Sequence, residues 1–244
     1  MDLTVNGKSP VVAWVPSLDT AGAGTTTLTD LQSGSYPLTL ANMTAANCWV
    51  TDTDLGGERA LKFSGSNAAF SRAATTAFQF GATCTVTAWV KATATTGRRP
   101  IITIGNASQT GKGLFLYLSS RRLAADLSSL GLSSNSWDIN FGTWMHVALR
   151  MTTSLIEMTI GGVRVWRVTS TTADIDQSLT GAKINAIGSD LLGNDGNDSD
   201  LFDDFRVWST FLNDSDLALL SSKRAYQPSS SGKPSSPFLS QVIG

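Results

Sequence analysis

The chain has 244 residues, a net charge of −1 and only 15% charged residues. No basic patch points to nucleic acid and no acidic block to a solvating tail, and no apolar run approaches the ~18 residues that span a bilayer. The length suits a single all-β domain, and the surface is expected to be covered by Ser, Thr, Asn and Gly.

Met1-Asp-Leu-Thr-Val-Asn-Gly lacks a basic start followed by an apolar run, so no secretory signal is expected. Residues 1–10 read as an extended lead-in. Val11–Val15 is a first strand, stopped by Pro16. Residues 19–30 are turn-rich, and Ser33-Gly34-Ser35 loops between short strands. Asn47–Thr51 reads as a strand and Asp52–Glu58 as a polar turn. Strands are expected at Ala60–Phe63, at Ala69–Ser71 and at Thr83–Lys91, where Val86, Ala88 and Val90 share a face and Trp89 points the other way. Cys48 and Cys84 fall on predicted strands, more simply as two small buried hydrophobes than as a bridge.

Arg98-Arg99-Pro100 precedes a strand at Ile101–Ile104. Leu114, Leu116 and Leu118 alternate with Phe115 and Tyr117, so both faces of that strand are apolar and it is expected to be central. Leu123–Leu127 returns antiparallel, and Leu130–Phe141 reads as a loop holding Trp137. Met145, Val147, Leu149 and Met151 then alternate with His146, Ala148 and Arg150, the mark of a strand with one buried face. A second alternation covers Leu155–Ile160, and Gly161-Gly162 turns the chain into Val163–Val165. Together these form a three-strand meander. Ala182–Ile187 is a strand, Gly188–Asp200 a Gly/Asn/Asp loop, and Phe202–Trp208 the last long strand. Asp214–Ser222 is the one helix, with Asn213 or Ser215 as its cap and Asp214 and Asp216 suiting its positive end. Short β runs with turns between them and a single helix predict a two-sheet antiparallel sandwich over residues 1–226.

After Tyr226 the composition changes. Gln227–Pro237 is Ser/Pro/Gly-rich and buries nothing by itself. Phe238, Leu239, Val242 and Ile243 follow as apolar anchors. Residues 227–244 read as an extended assembly arm that docks on a neighbouring subunit, with a return onto its own sandwich as the alternative.

Chemistry-bearing residues are few. Glu58 and Glu157 are the only glutamates and His146 the only histidine. Retaining glycoside hydrolysis needs two carboxylates about 5–5.5 Å apart, and neighbouring strand residues such as Asp203 and Asp204 are expected to face opposite ways. A triad needs a nucleophile and an orienting acid besides the histidine. No enzyme is expected. Trp137, in a loop with Asn135 and Asp138, is the candidate for stacking on a ligand. Asp195 and Asp198, in the loop Asn194–Asp200, are a second acidic candidate for calcium or ligand binding, although the loop lacks the Glu at position twelve of an EF-hand; a solvated turn is the simpler reading.

Four segments, in order, resemble the laminin-G-like, concanavalin-A-like jelly-roll family: Ala60–Ser71 (ALKFSGSNAAFS), Cys84–Lys91 (CTVTAWVK), Gly142–Val165 with its Trp-x-His-Val-Ala run, and Phe202–Trp208 (FDDFRVW). The resemblance covers roughly residues 11–223. It implies a jelly roll with a short helix after the last strand, and often calcium at the rim. Here the ligands would be Asp30, opening the Ser33-Gly34-Ser35 loop, and Asp203, which alternation places inward with Phe205 and Val207. Tyr36-Pro37 departs from the Asn and Asp that the family tends to show. The family hosts lectins, adhesion modules, enzymes and structural proteins, so fold alone does not choose. The composition, the missing catalytic set and the arm favour a non-enzymatic structural or adhesive component of a large assembly. The expected setting is a phage or virus particle surface, as a decoration or fibre protein. Its partners would be other virion proteins, copies of itself and a host-surface glycan, with no nucleic acid and no membrane insertion. The alternative is a secreted or cell-surface carbohydrate-binding module.

Overall fold

The computed structural model describes residues 3–55, 57–64, 68–72, 83–93, 97–105, 113–127, 132–169, 184–187 and 200–222. Among them are sixteen strands: β1 (Val12–Trp14), β2 (Thr27–Leu28), β3 (Leu38–Ala41), β4 (Trp49–Asp52), β5 (Glu58–Lys62), β6 (Ala69–Arg72), β7 (Cys84–Lys91), β8 (Arg98–Gly105), β9 (Gly113–Ser119), β10 (Arg122–Leu127), β11 (Leu132–Asp138), β12 (Trp144–Met151), β13 (Leu155–Ile160), β14 (Val163–Thr169), β15 (Ile184–Ile187) and β16 (Leu201–Trp208). Two helices accompany them, α1 (Ala45–Cys48) and α2 (Asp214–Ser222). The loop with Asp195 and Asp198, and the arm with Phe238, Leu239, Val242 and Ile243, lie outside the described residues.

The strands form two antiparallel sheets. One runs β14-β13-β12-β7-β16-β5-β4, with β1 pairing β16; the other runs β11-β10-β9-β8-β15-β6-β3-β2. Val86, Ala88, Val90, Val147, Leu149, Phe202, Phe205 and Val207 of the first sheet pack against Ile102, Ile104, Leu114, Leu116, Leu118 and Phe70 of the second. Alternation at period two puts these side chains on the inner faces, and burying each stabilises by roughly 1.5–3 kcal/mol. Tyr117 and Phe115 stack on the opposite face of β9, both buried, as the two-sided apolar pattern implied.

The meander is confirmed. Gly161 and Gly162 both take positive φ, 59° and 80°, the geometry of a two-residue hairpin turn. A Cβ on Gly161 would meet nothing within 4 Å, whereas one on Gly162 would lie 2.8 Å from Ser221 Oγ and 3.0 Å from Ala218 Cα of α2. Gly162→Ala is therefore expected to cost the left-handed penalty plus overpacking, roughly 2–4 kcal/mol together, and Gly161→Ala only the first, about 1–2 kcal/mol. Thermal melts of the two variants check this; equal losses would remove the close approach of the turn to α2.

Four expectations are corrected. The strand expected at 47–51 starts at Trp49, because Ala45–Cys48 closes a helical turn that holds Cys48. Cys48 and Cys84 are buried free thiols, and burial pushes the Cys48 thiol up to about 12. Leu132–Asp138, read as a loop, is edge strand β11 paired with β10, so Trp137 sits on a strand; its polar Ser/Asn sequence hides the pairing. The outer face of β12 is not open: His146, Ala148 and Arg150 are all buried. Ala148 is covered by a layer in which Val5, Trp208, Leu212, Leu217 and Leu220 pack together.

The fourth correction concerns β16. Asp203 pairs with Trp89 and Arg206 with Thr87, so two residues, Asp204 and Phe205, oppose one. This β-bulge, with Asp204 at φ +51°, breaks the alternation. Phe202 and Phe205 both point into the core, and Asp203 shares the outer side with Trp89 instead of the inner side with Phe205 and Val207.

Candidate functional site

The outer face of the first sheet gathers most of the buried charge among the described residues. Its covering layer is pinned by ion pairs. Arg206 holds Asp204 with two parallel bonds, 2.5 and 2.8 Å, and donates Nη1 to the Leu3 carbonyl at 2.9 Å, tying the N-terminal segment to β16. Asp216 of α2 accepts from Asn6 at 2.8 Å and from Lys8. It also accepts the Asn213 N–H, while the Asn213 side chain accepts the Asp216 N–H, both at 2.9 Å. This reciprocal cap starts the helix and confirms Asn213 as its cap.

Within that layer, His146, Trp89 and Asp203 stand in one row across β12, β7 and β16. His146 meets the Trp89 ring edge-on at 5.6 Å between centroids. Burial, against the charge of Asp204 and with that of Arg206, pulls His146 down to about 4. Burial and then the charge of Asp204 push Asp203 up to about 7, against its bonds to Ser17. The bulge thus couples two aspartates that strict alternation would have separated. A histidine kept neutral and a carboxyl raised toward neutrality are the marks of a proton-transfer site. Both side chains are shut from solvent, at 2% and 0% exposure, so no substrate reaches them.

The calcium expectation places Asp30 and Asp203 together at the rim. Asp30 is engaged by protein donors: the Ala13 N–H at 3.2 Å, the Gln32 N–H at 3.0 Å and the Ser33 hydroxyl at 2.6 Å. Asp203 Oδ1 accepts the Ser17 N–H at 3.1 Å, leaving Oδ2 without a hydrogen-bond partner. At the departure from the family pattern, the Tyr36 carbonyl accepts the Trp14 indole at 2.8 Å. Among the described residues no three His, Cys, Asp or Glu side chains gather as metal ligands. Calcium takes six to eight oxygens; the Asp30 oxygens already face N–H and O–H donors, and Asp203 offers only its second oxygen, Oδ2, a poor match to that number. Chelation with EDTA is expected to leave the melting temperature unchanged. A fall reversed by added Ca²⁺ would show that these carboxylates exchange their protein donors for the ion.

A polar group at the β14 side of this face reaches the surface. Arg150 of β12 opposes Glu157 of β13, which opposes Arg167 of β14. Glu157 Oε2 accepts Arg150 Nε at 2.8 Å; Oε1 accepts Arg164 Nη1 at 3.1 Å and lies 3.6 Å from Arg167 Nε. Arg150 further donates Nη1 to the Leu212 carbonyl at 2.7 Å and pairs with Asp214. The Glu157 side chain is 3% exposed, those of Arg164 and Arg167 46% and 50%. Sequence reading missed this group. Counting the register outward from the Thr152–Ser154 turn, where Met151 meets Ile156, sets Arg150 opposite Glu157, so the signal was there.

The family described as the concanavalin A-like lectin/glucanases superfamily matches residues 63–218. The chain belongs to this superfamily. Its jelly-roll architecture is shared with solved structures of low sequence identity. Trypanosoma rangeli sialidase in complex with 2,3-difluorosialic acid matches with a TM-score of 0.63 and 17% identity, over 86% of this chain and 32% of that one. The binding domain of botulinum neurotoxin DC, in complex with rat synaptotagmin II, matches at 0.59 and 12%, over 87% and 51%. A structure of botulinum neurotoxin type C, whose cell entry is dependent upon interaction with two ganglioside molecules, matches at 0.59 and 12%, over 87% and 50%. The chain spans about a third of the sialidase chain and about half of the neurotoxin chains. Such identities speak for the fold alone. No curated protein sequence matches.

Proposed function

We propose that this chain is a non-catalytic recognition module whose lectin-like sandwich binds glycan. The observation that carries this reading is the fate of the acid–base groups. The sole histidine is sealed under the covering layer, and Glu157 is spent on arginines. Among the described residues, the one carboxyl raised toward neutrality is buried beside the bulge. General acid–base catalysis needs such a group within hydrogen-bond reach of a substrate; none of these three groups meets that condition, which supports binding over turnover. Structural neighbours whose names carry 2,3-difluorosialic acid, ganglioside or synaptotagmin II support a recognition role for this architecture. The test is binding to an immobilised panel of neutral, sialylated and sulfated oligosaccharides, where saturable retention on a subset is expected and no retention on any would refute the reading.

The setting we propose is the surface of a large assembly, a virus or phage particle being the foremost case. The low-charge composition and the Ser/Pro-rich segment 227–244 with its apolar end favour it. Deleting 227–244 should leave a folded sandwich that no longer joins its assembly, while normal incorporation of the truncated chain would contradict the arm.

A further inference from the structure

We propose that Arg164 and Arg167 form an anion subsite that selects glycans carrying carboxylate or sulfate groups. The inference rests on the recognition reading and names the substrate class.

Charge is unevenly balanced here. Arg150, Arg164 and Arg167 converge on Glu157, and the other acidic partner in the group is Asp214, which pairs with Arg150. Three cations thus face two anions, and the surplus lies on the two exposed arginines. Each guanidinium carries five N–H donors in a flat fork. The contacts of Arg164 and Arg167 to Glu157 both go to the same Oε1 oxygen, and about half of each side chain is open to solvent, 46% and 50%.

Position completes the site. Among the described residues β14 ends its sheet, and the two arginines are about half exposed, which leaves them accessible to a ligand. Glu157, buried and locked by Arg150 from the far side, is a fixed post that holds the two arginines side by side without neutralising both. Carboxylate and sulfate oxygens match such forks with parallel charge-assisted bonds.

The test compares a sulfated tetrasaccharide with its desulfated counterpart by calorimetry, on the full chain, at low and moderate salt. At low salt the sulfated sugar is expected to bind at least tenfold more tightly, with the preference shrinking as salt rises. Arg164→Ala/Arg167→Ala should abolish the preference. Arg164→Lys/Arg167→Lys should retain part of it, and Arg98→Ala, on the other sheet, all of it. Circular dichroism confirms folding of each variant. Equal binding of both sugars, a preference surviving in the double alanine variant, or polyglutamate bound as tightly as the sulfated sugar would overturn the subsite. Binding of neither test sugar, with neutral glycans of the panel retained, would overturn the subsite alone. Loss of every glycan on the panel would overturn the recognition reading with it.

Discussion

Arg150→Ala is expected to destabilise the fold by about 3–5 kcal/mol, the cost of leaving one member of a buried ion pair without its partner. Arg150 and Glu157 are each only 3% exposed at the side chain. The substitution also strips the Leu212 carbonyl of its donor and removes the guanidinium lying 4.6 Å from the Phe211 ring centroid. Asp214, 75% exposed, contributes little to this cost because water screens it. Arg164 and Arg167 still reach Glu157, which places the loss toward the lower end. Arg150→Met/Glu157→Leu should recover much of it, since apolar groups of similar volume replace a buried pair at little cost. Urea unfolding decides: a single-variant loss below about 1 kcal/mol would mean that the pair is solvated and the covering layer is not held through Arg150.

The second large effect is a pH dependence hidden by compensation. Asp203 rises from its ordinary value to about 7, so the folded chain keeps a proton that the unfolded chain has released. Its contribution to stability is fully present below about pH 4 and is lost as pH rises through about 7. His146 falls from 6.5 to about 4. Its contribution is present above about pH 6.5 and is lost as pH falls through about 4. Between roughly pH 4.5 and 6.5 the folded chain holds its proton on Asp203 and the unfolded chain on His146, so the two slopes cancel. Asp203→Asn removes one side of this balance. Relative to the parent, the variant should gain stability with rising pH at up to about 1.4 kcal/mol per pH unit, reaching on the order of 4 kcal/mol by pH 8. Denaturant unfolding at pH 5, 6, 7 and 8 measures it, and a pH-independent difference would show that Asp203 is ionised throughout.

The elements legible in the sequence are those where one physical signal acts alone. The meander could be read because alternation and a Gly-Gly turn agree, and α2 because Asn213 and Asp216 cap it just before Leu217 and Leu220. The inner face of β7 followed from Val86, Ala88 and Val90. What stayed hidden depends on contacts between distant segments. Nothing local shows that Val5 and α2 will cover Ala148, so the polar spacing of His146 and Arg150 resembled an open face. A bulge at one left-handed aspartate flips the sidedness of Asp203, and pattern counting has no means to see it. β11 escaped because an edge strand needs little hydrophobicity. Of the candidate site residues, Asp30 and Asp203 are both buried, but Asp203 lies on the outer and not the inner side, and Asp30 is bound by protein donors. Arg164 and Arg167 passed unnoticed because a basic pair acquires meaning only once Glu157 is known to lie beneath it.

The proposed function is recognition without turnover. The direct test incubates the full chain with an oligosaccharide retained in the glycan panel, measures binding to saturation, and analyses the recovered sugar by mass spectrometry. Saturable binding with the oligosaccharide recovered intact is the predicted result; a cleaved or shortened sugar above the buffer control would contradict it.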